Sequence, residues 1–341
     1  MISSVALGSI HKILKYIFLT SLIVASVVAR GDPPPAAGGS PAAAPSEPIQ
    51  EVEVLGERPG PGMWRVSKGD HVLWLFGTLD PLPKRMTWRS RDVESVVAQS
   101  QEILASNPSI SAHIGPISAI RLYMQWRRTE KIPEKSHLKD WLTASQYQRF
   151  TALKARYAPH EGSIEELRPL FAARRLYDKA IEVSDLTSRN DIQDAVLKLA
   201  RKHSVAVRRT SVRIEDPRGV LDEVGEIPRA AEIGCLDATM ERLETDLDAM
   251  KARARDWALG DVEALRRLPF RKQRQVCQAA VVTSARIKAL IDRASADWNE
   301  ALEAALARNR TTLALKPIYD LLGADGTLEM LRAKGYTVEG P

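Results

Sequence analysis

The run His71-Val72-Leu73-Trp74-Leu75-Phe76 constrains this chain most. After its first residue it is apolar throughout, where a half-exposed strand would alternate. Such a run suits a strand covered on both faces. It ends in Gly77-Thr78-Leu79-Asp80 and then Pro81-Leu82-Pro83. Proline cannot continue a central strand, because it lacks the N–H that the ladder needs. The chain must leave the sheet here, and Asp80 sits at the exit. Upstream, Met63 to Ser67 is also strand-like, and Lys68-Gly69-Asp70 supplies a hairpin turn between the two.

Helical spacing follows from about Arg89 to Gln101, with Val93, Val96 and Val97 on one face, and Glu102 to Ala105 reads as the next strand. Residues 116–129, 143–157, 165–183 and 190–203 carry helical apolar spacing, and Val205 to Ile214 reads as one strand. From Leu236 to Trp257 the apolar residues Leu236, Met240, Leu243, Leu247, Met250, Ala254 and Trp257 alternate by four and three, a heptad stripe on one long helix. Its expected partner is the segment 276–308, in an antiparallel hairpin; pairing between chains through this stripe, giving a homo-oligomer, is the rival. Thr311 to Leu315 is a strand, Asp325-Gly326 opens a helix running to Lys334, and Tyr336 to Glu339 closes the chain as a last strand. Two strand–helix–strand units thus bracket a large helical insert, which predicts an α/β (α+β) fold with a small central sheet.

The first residues bear on location. Lys12 and Lys15 precede an apolar stretch, no acidic residue occurs before Asp32, and Val27-Val28-Ala29 offers small residues for cleavage. This reads as a secretory signal over residues 1–29, with a periplasmic or secreted product. At about 14 residues the stretch is shorter than the roughly 20 that span a bilayer; an uncleaved anchor is the rival reading. Residues 30–58, rich in Pro, Ala, Gly and Ser, read as a disordered linker, which leaves 59–341 as the folded domain. Removing the leader takes the formal charge from +6 to +4, too little over such a length to imply a nucleic-acid surface. Cys235 and Cys277, both in the exported part, predict a disulfide, with two separate buried thiols as the alternative.

Both ends of the domain carry a recognisable pattern. Trp64-Arg65-Val66-Ser67 and Leu73-Trp74-Leu75-Phe76-Gly77-Thr78 resemble the opening of TraB/GumN domains, and Leu322-Gly323-Ala324-Asp325-Gly326-Thr327-Leu328 through Gly335-Tyr336-Thr337-Val338 resembles their close. Trp257-Ala258-Leu259-Gly260-Asp261 and Arg308-Asn309 resemble further landmarks of that family. The resemblance implies kinship with Tiki metalloproteases and erythromycin-esterase-like hydrolases, in which two Gly-x-x-His elements and a Glu hold a divalent metal. Such a metal would lower the pKa of bound water to make a nucleophile. This chain departs from the pattern at each of those places. The first element has Asp80 for histidine, the second reads Pro317-Ile318-Tyr319-Asp320, and Ala105-Ser106 stand where the acidic residue is expected.

The resemblance therefore implies the fold without the chemistry, and a domain that binds a protein, peptide or glycan in the envelope. A metal-dependent hydrolase or peptidase using Asp80 and Asp320 is the alternative, since two carboxylates can bind a hard cation or act as acid and base. Each Asp could instead cap a helix or organise a turn, the commoner role of Asp at such junctions. The loop after the first element bears Lys84, Arg85 and Trp88, which with Tyr319 are the candidate binding residues. The histidines His71, His113, His137, His160 and His203 are scattered without metal-ligand spacing, and no Gly-x-Ser-x-Gly elbow occurs.

Overall fold

The computed structural model describes residues 60–133, 136–189, 191–267, 272–323 and 325–341. The expected leader and linker, residues 1–58, lie outside them. The hairpin forms as its residues dictate: β1 (Met63–Lys68) and β2 (His71–Thr78) pair antiparallel, with Lys68 opposite His71 and Gly69 at a φ of 62° in the turn. β3 (Leu82–Pro83) follows in the proline loop. The chain then runs through α1 (Arg91–Gln99), β4 (Glu102–Leu104) and β5 (Ser109–Ser111) into the helical insert. The insert begins with α2 (Pro116–Thr129), α3 (Leu138–Trp141), α4 (Ala144–Tyr157) and α5 (Pro169–Val183). The start of α4 is set by a capping box, in which Thr143 accepts from the Gln146 N–H and the Gln146 side chain accepts from the Thr143 N–H. After β6 (Leu186–Thr187) and α6 (Asp191–Lys202) come β7 (Ala206–Arg208) and β8 (Ser211–Arg213).

One central sheet results, in the order β10-β1-β2-β9-β4-β7. Its two closing strands are β9 (Thr311–Pro317) and β10 (Thr337–Glu339). β9 lies parallel between β2 and β4, with Gly77 opposite Lys316 and Thr78 opposite Pro317, and β10 returns antiparallel to β1. Thr312 to Leu315 are buried in succession, so both faces of β9 are covered. The α/β class, with terminal units around a helical insert, is what the sequence predicts.

Three expectations are corrected. The single strand over Val205 to Ile214 is two: β7 extends the central sheet, then the chain bends and β8 pairs with β5. β4 and β7 turn together, since Ser109 N–H bonds Thr210 O just beyond the bend. Apolar periodicity does not register a bend that two neighbours share.

The long helix over Leu236 to Trp257 is also two, α7 (Pro217–Gly225) being followed by α8 (Arg229–Thr245) and α9 (Leu247–Ala258). The break falls at Asp246, whose backbone leaves helical geometry (φ −120°, ψ −5°). Its carboxylate accepts a two-pronged bond from Arg253, whose guanidinium is almost wholly buried. The heptad stripe is nonetheless inside the chain. Leu236, Met240 and Leu243 join α4 and α5 in one core, while Ala254 and Trp257 join the sheet's core. The face that pairing between chains would need is therefore occupied.

The chain continues through α10 (Val262–Arg267), α11 (Lys272–Val281), α12 (Ala285–Arg308), α13 (Ile318–Leu322) and α14 (Thr327–Ala333). The expected partner segment 276–308 divides in the same way: α11 lies along α8, while α12 lies along the sheet. Cys235 and Cys277 form the expected disulfide, joining α8 to α11.

Candidate functional site

β2 and β9 are adjacent and parallel, so Asp80 and Asp320 leave the sheet from the same edge, where open α/β sheets present their sites. Trp257 fixes that edge. Its Nε1 donates to Gly77 O at 2.7 Å, and its ring meets those of Phe76 and Trp88. Gly77 is required by close approach, because a Cβ there would come within 2.9 Å of Ile318. Gly260, just beyond Trp257, holds a φ of 72° with Gly60 O at 2.7 Å from where its Cβ would be. The Trp257-to-Asp261 landmark thus clamps the end of β2. Arg308 and Asn309 act at the opposite edge, where both bond Glu102 of β4, and Asn309 O meets His71 at the start of β2.

The functional edge is dominated by cations that the sequence reading did not single out. Asp320 pairs with Arg274 of α11 at 3.5 Å. Lys316, at the end of β9, lies 3.9 Å from the centre of the Trp298 ring. Burial pushes its ammonium pKa down; Asp320 opposes this and Arg274 adds to it. Tyr319 is raised by burial, against the pull of the Arg253 and Arg242 guanidinium groups. Arg242 stands over the Tyr177 ring at 5.0 Å, donates to Gln273 and lies 3.6 Å from Asp246. Burial pushes the Tyr177 phenol up to about 12; Arg242 opposes this, and the negative charge of Asp80 contributes. One Asp80 carboxylate oxygen is shielded from solvent.

The edge therefore gathers Arg242, Arg253, Arg274 and Lys316 around Asp80, Asp246 and Asp320. A divalent cation prefers a surplus of anionic or imidazole donors. Among the described residues no group of three or more His, Cys, Asp and Glu could hold one. At the end of β4, Ser106 Oγ donates to the neutral amide oxygen of Gln193, where the family's chemistry calls for a carboxylate. The metal that the resemblance implies does not fit these residues. What the edge offers is cationic N–H donors, part-exposed at Arg274 and largely covered at Arg242, Arg253 and Lys316, which suits an anionic group.

The remaining candidates lie nearby. Lys84 Nζ donates to Glu182 O at 2.6 Å, and β3 pairs with β6, so the proline loop is tied down on the end of α5. Arg85 is exposed, while Trp88 packs on the sheet core with Phe76 and Trp257. The histidines are elsewhere: His71 starts β2, and His203 meets Glu94 of α1. One clue to the missed cations was present, since Arg253 and Trp257 share a face one helical turn apart on an otherwise apolar stripe.

A mixed α/β domain with its glycine-tight strand end, tryptophan clamp and C-terminal helix–strand closure defines the class. The TraB/PrgY/gumN family model matches residues 62–340, which include nearly all of the described chain, and the protein belongs to that family. No curated protein and no solved structure gives a significant match.

Proposed function

We propose that this is an exported TraB/PrgY/gumN domain that binds an anionic group of a protein, peptide or glycan in the cell envelope, without metal-dependent hydrolysis. The observation that carries this reading is the Arg274–Asp320 ion pair, at the place where the family's second metal-binding histidine is expected. With Lys316, Arg242 and Arg253 close by, fixed cations outnumber the carboxylates, so a metal ion would be repelled. The same surroundings stabilise a carboxylate or phosphate ligand. The leader-like first 29 residues and the disulfide support export, because structural disulfides persist in oxidising compartments.

The test is the metal content of the purified chain and of Asp80→Ala and Asp320→Ala, after exposure to Zn²⁺, Mn²⁺, Co²⁺ and Ca²⁺. The expected result is no stoichiometric metal in any sample, together with a loss of anionic-ligand binding in Arg274→Ala. Near-stoichiometric metal that both aspartate variants lose would overturn the proposal and restore the hydrolase. Amino-terminal sequencing of the protein recovered from the envelope fraction tests export, with Arg30 as the expected first residue.

A further inference from the structure

α2 is amphipathic twice over. Its inner face, Ala119, Leu122 and Trp126, is buried against α7 in a satellite core. Its outer face carries Ile117, Ile120, Tyr123 and Met124, which are 68%, 49%, 40% and 49% exposed. These four account for most of the large exposed apolar side chains among the described residues. Apolar side chains gathered on one face mark a contact surface, whereas scattered ones do not. Ile117, Ile120, Arg121, Met124 and Arg128 recur at steps of three and four, so they share that face. Arg127 is held by Glu130, and Gln125 donates to the exposed Asp222 of α7; Arg121 and Arg128 are the cations beside the apolar residues, and α2 itself contains no acidic residue.

We propose that the outer face of α2 docks on an anionic lipid surface. A single convex helix face with aliphatic and aromatic side chains flanked by arginines needs no complementary groove; it lies in the interface with its apolar side among the acyl chains and its cations at the headgroups. No helix of the described residues is long and apolar enough to cross a membrane, so this is a surface contact. Charge argues against the other occupants. A second copy, meeting face to face, would gather four arginines, Arg121 and Arg128 of each chain, in one interface. The chain's own leader brings Lys12 and Lys15 and no acidic residue before Asp32. This inference is independent of the sheet edge, whose residues lie on other elements.

The test is flotation with vesicles of phosphatidylcholine alone and of phosphatidylcholine containing phosphatidylglycerol. It uses the full chain and a chain beginning at Arg30, which retains every described element. The chain from Arg30 should bind the anionic vesicles, and Arg121→Gln with Arg128→Gln should weaken that binding about thirtyfold. Ile120→Ser with Met124→Ser should weaken it about tenfold or more, with unchanged circular dichroism and urea midpoint because all four residues are exposed. Binding by the full chain that neither double variant alters, alongside none by the chain from Arg30, would assign attachment to the leader and overturn the proposal. So would equal binding to neutral vesicles, a dimer that the Ile120→Ser/Met124→Ser variant dissociates, or capture of an acidic protein with no vesicle binding at all.

Discussion

Replacing Cys235 and Cys277 together by alanine removes the covalent tie between α8 and α11 while leaving the two helices otherwise complementary. The cysteines are 42 residues apart, and both are buried in the core shared with α4 and α5. Closing a loop of this length removes unfolded-state entropy worth about 4 kcal/mol at 25 °C. Their other contacts are weak: the Cys277 sulfur lies 3.8 Å from Thr239 Oγ1 and 3.7 Å from Gln273 Nε2, so the loop term dominates. With a urea slope of about 3 kcal/mol/M for a domain this large, the midpoint should fall by roughly 1.3 M. The assay is urea unfolding followed by far-UV circular dichroism, on oxidised wild type, reduced wild type and the double variant. The last two should coincide. In native buffer the bond should resist reductant until the helices part, because both sulfurs are covered. A midpoint change below about 0.3 M at constant slope would refute the reasoning, by showing that α8 and α11 are constrained as tightly without the bond.

Three other perturbations have defined outcomes. Trp257→Phe keeps the ring packing but leaves the buried Gly77 carbonyl without its donor, and should cost about 1–3 kcal/mol in thermal or urea unfolding. Arg253→Ala removes the two-pronged partner of Asp246 and leaves only the longer contact with Arg242, and should cost about 2–4 kcal/mol; a change under about 1 kcal/mol would mean that the break is held by something other than this pair. Glu232 gives a pH signature. Burial pushes its carboxyl up to about 7 despite its contact with Arg168. Because the folded value exceeds the unfolded value of 4.5, its contribution is fully present below pH 4.5 and is lost as pH rises through about 7. Stability should fall across that window by on the order of 3 kcal/mol, and Glu232→Gln should flatten the slope. A profile unchanged by that substitution would assign the pH dependence to other groups.

Local chemistry made much of this protein legible from its residues. An unbroken apolar run halted by Pro81 and Pro83 defines β2 and its exit; helical spacing with Pro116 and Thr143 at the starts places α2 and α4 to the residue or nearly so. Two cysteines in a chain whose first residues read as a secretory leader point to the disulfide, and Asp80 and Asp320, where the resemblance expects histidines, are visible by inspection. Tertiary structure alone decided the rest. That β9 inserts between β2 and β4, that β10 returns to β1, and that one apparent strand divides between two sheets are matters of pairing between distant segments, to which periodicity is blind. The helix break at Asp246 comes from charges competing with an otherwise continuous apolar stripe. The candidate site follows the same rule. Asp80 and Asp320 could be read off the strand ends, but Arg242, Arg253 and Arg274 come from α8, α9 and α11, and only packing brings their charge to the edge of the sheet. Backbone propensity acts over a few residues, whereas burial and electrostatics act through space, so the sequence determined the elements and folding determined what they face.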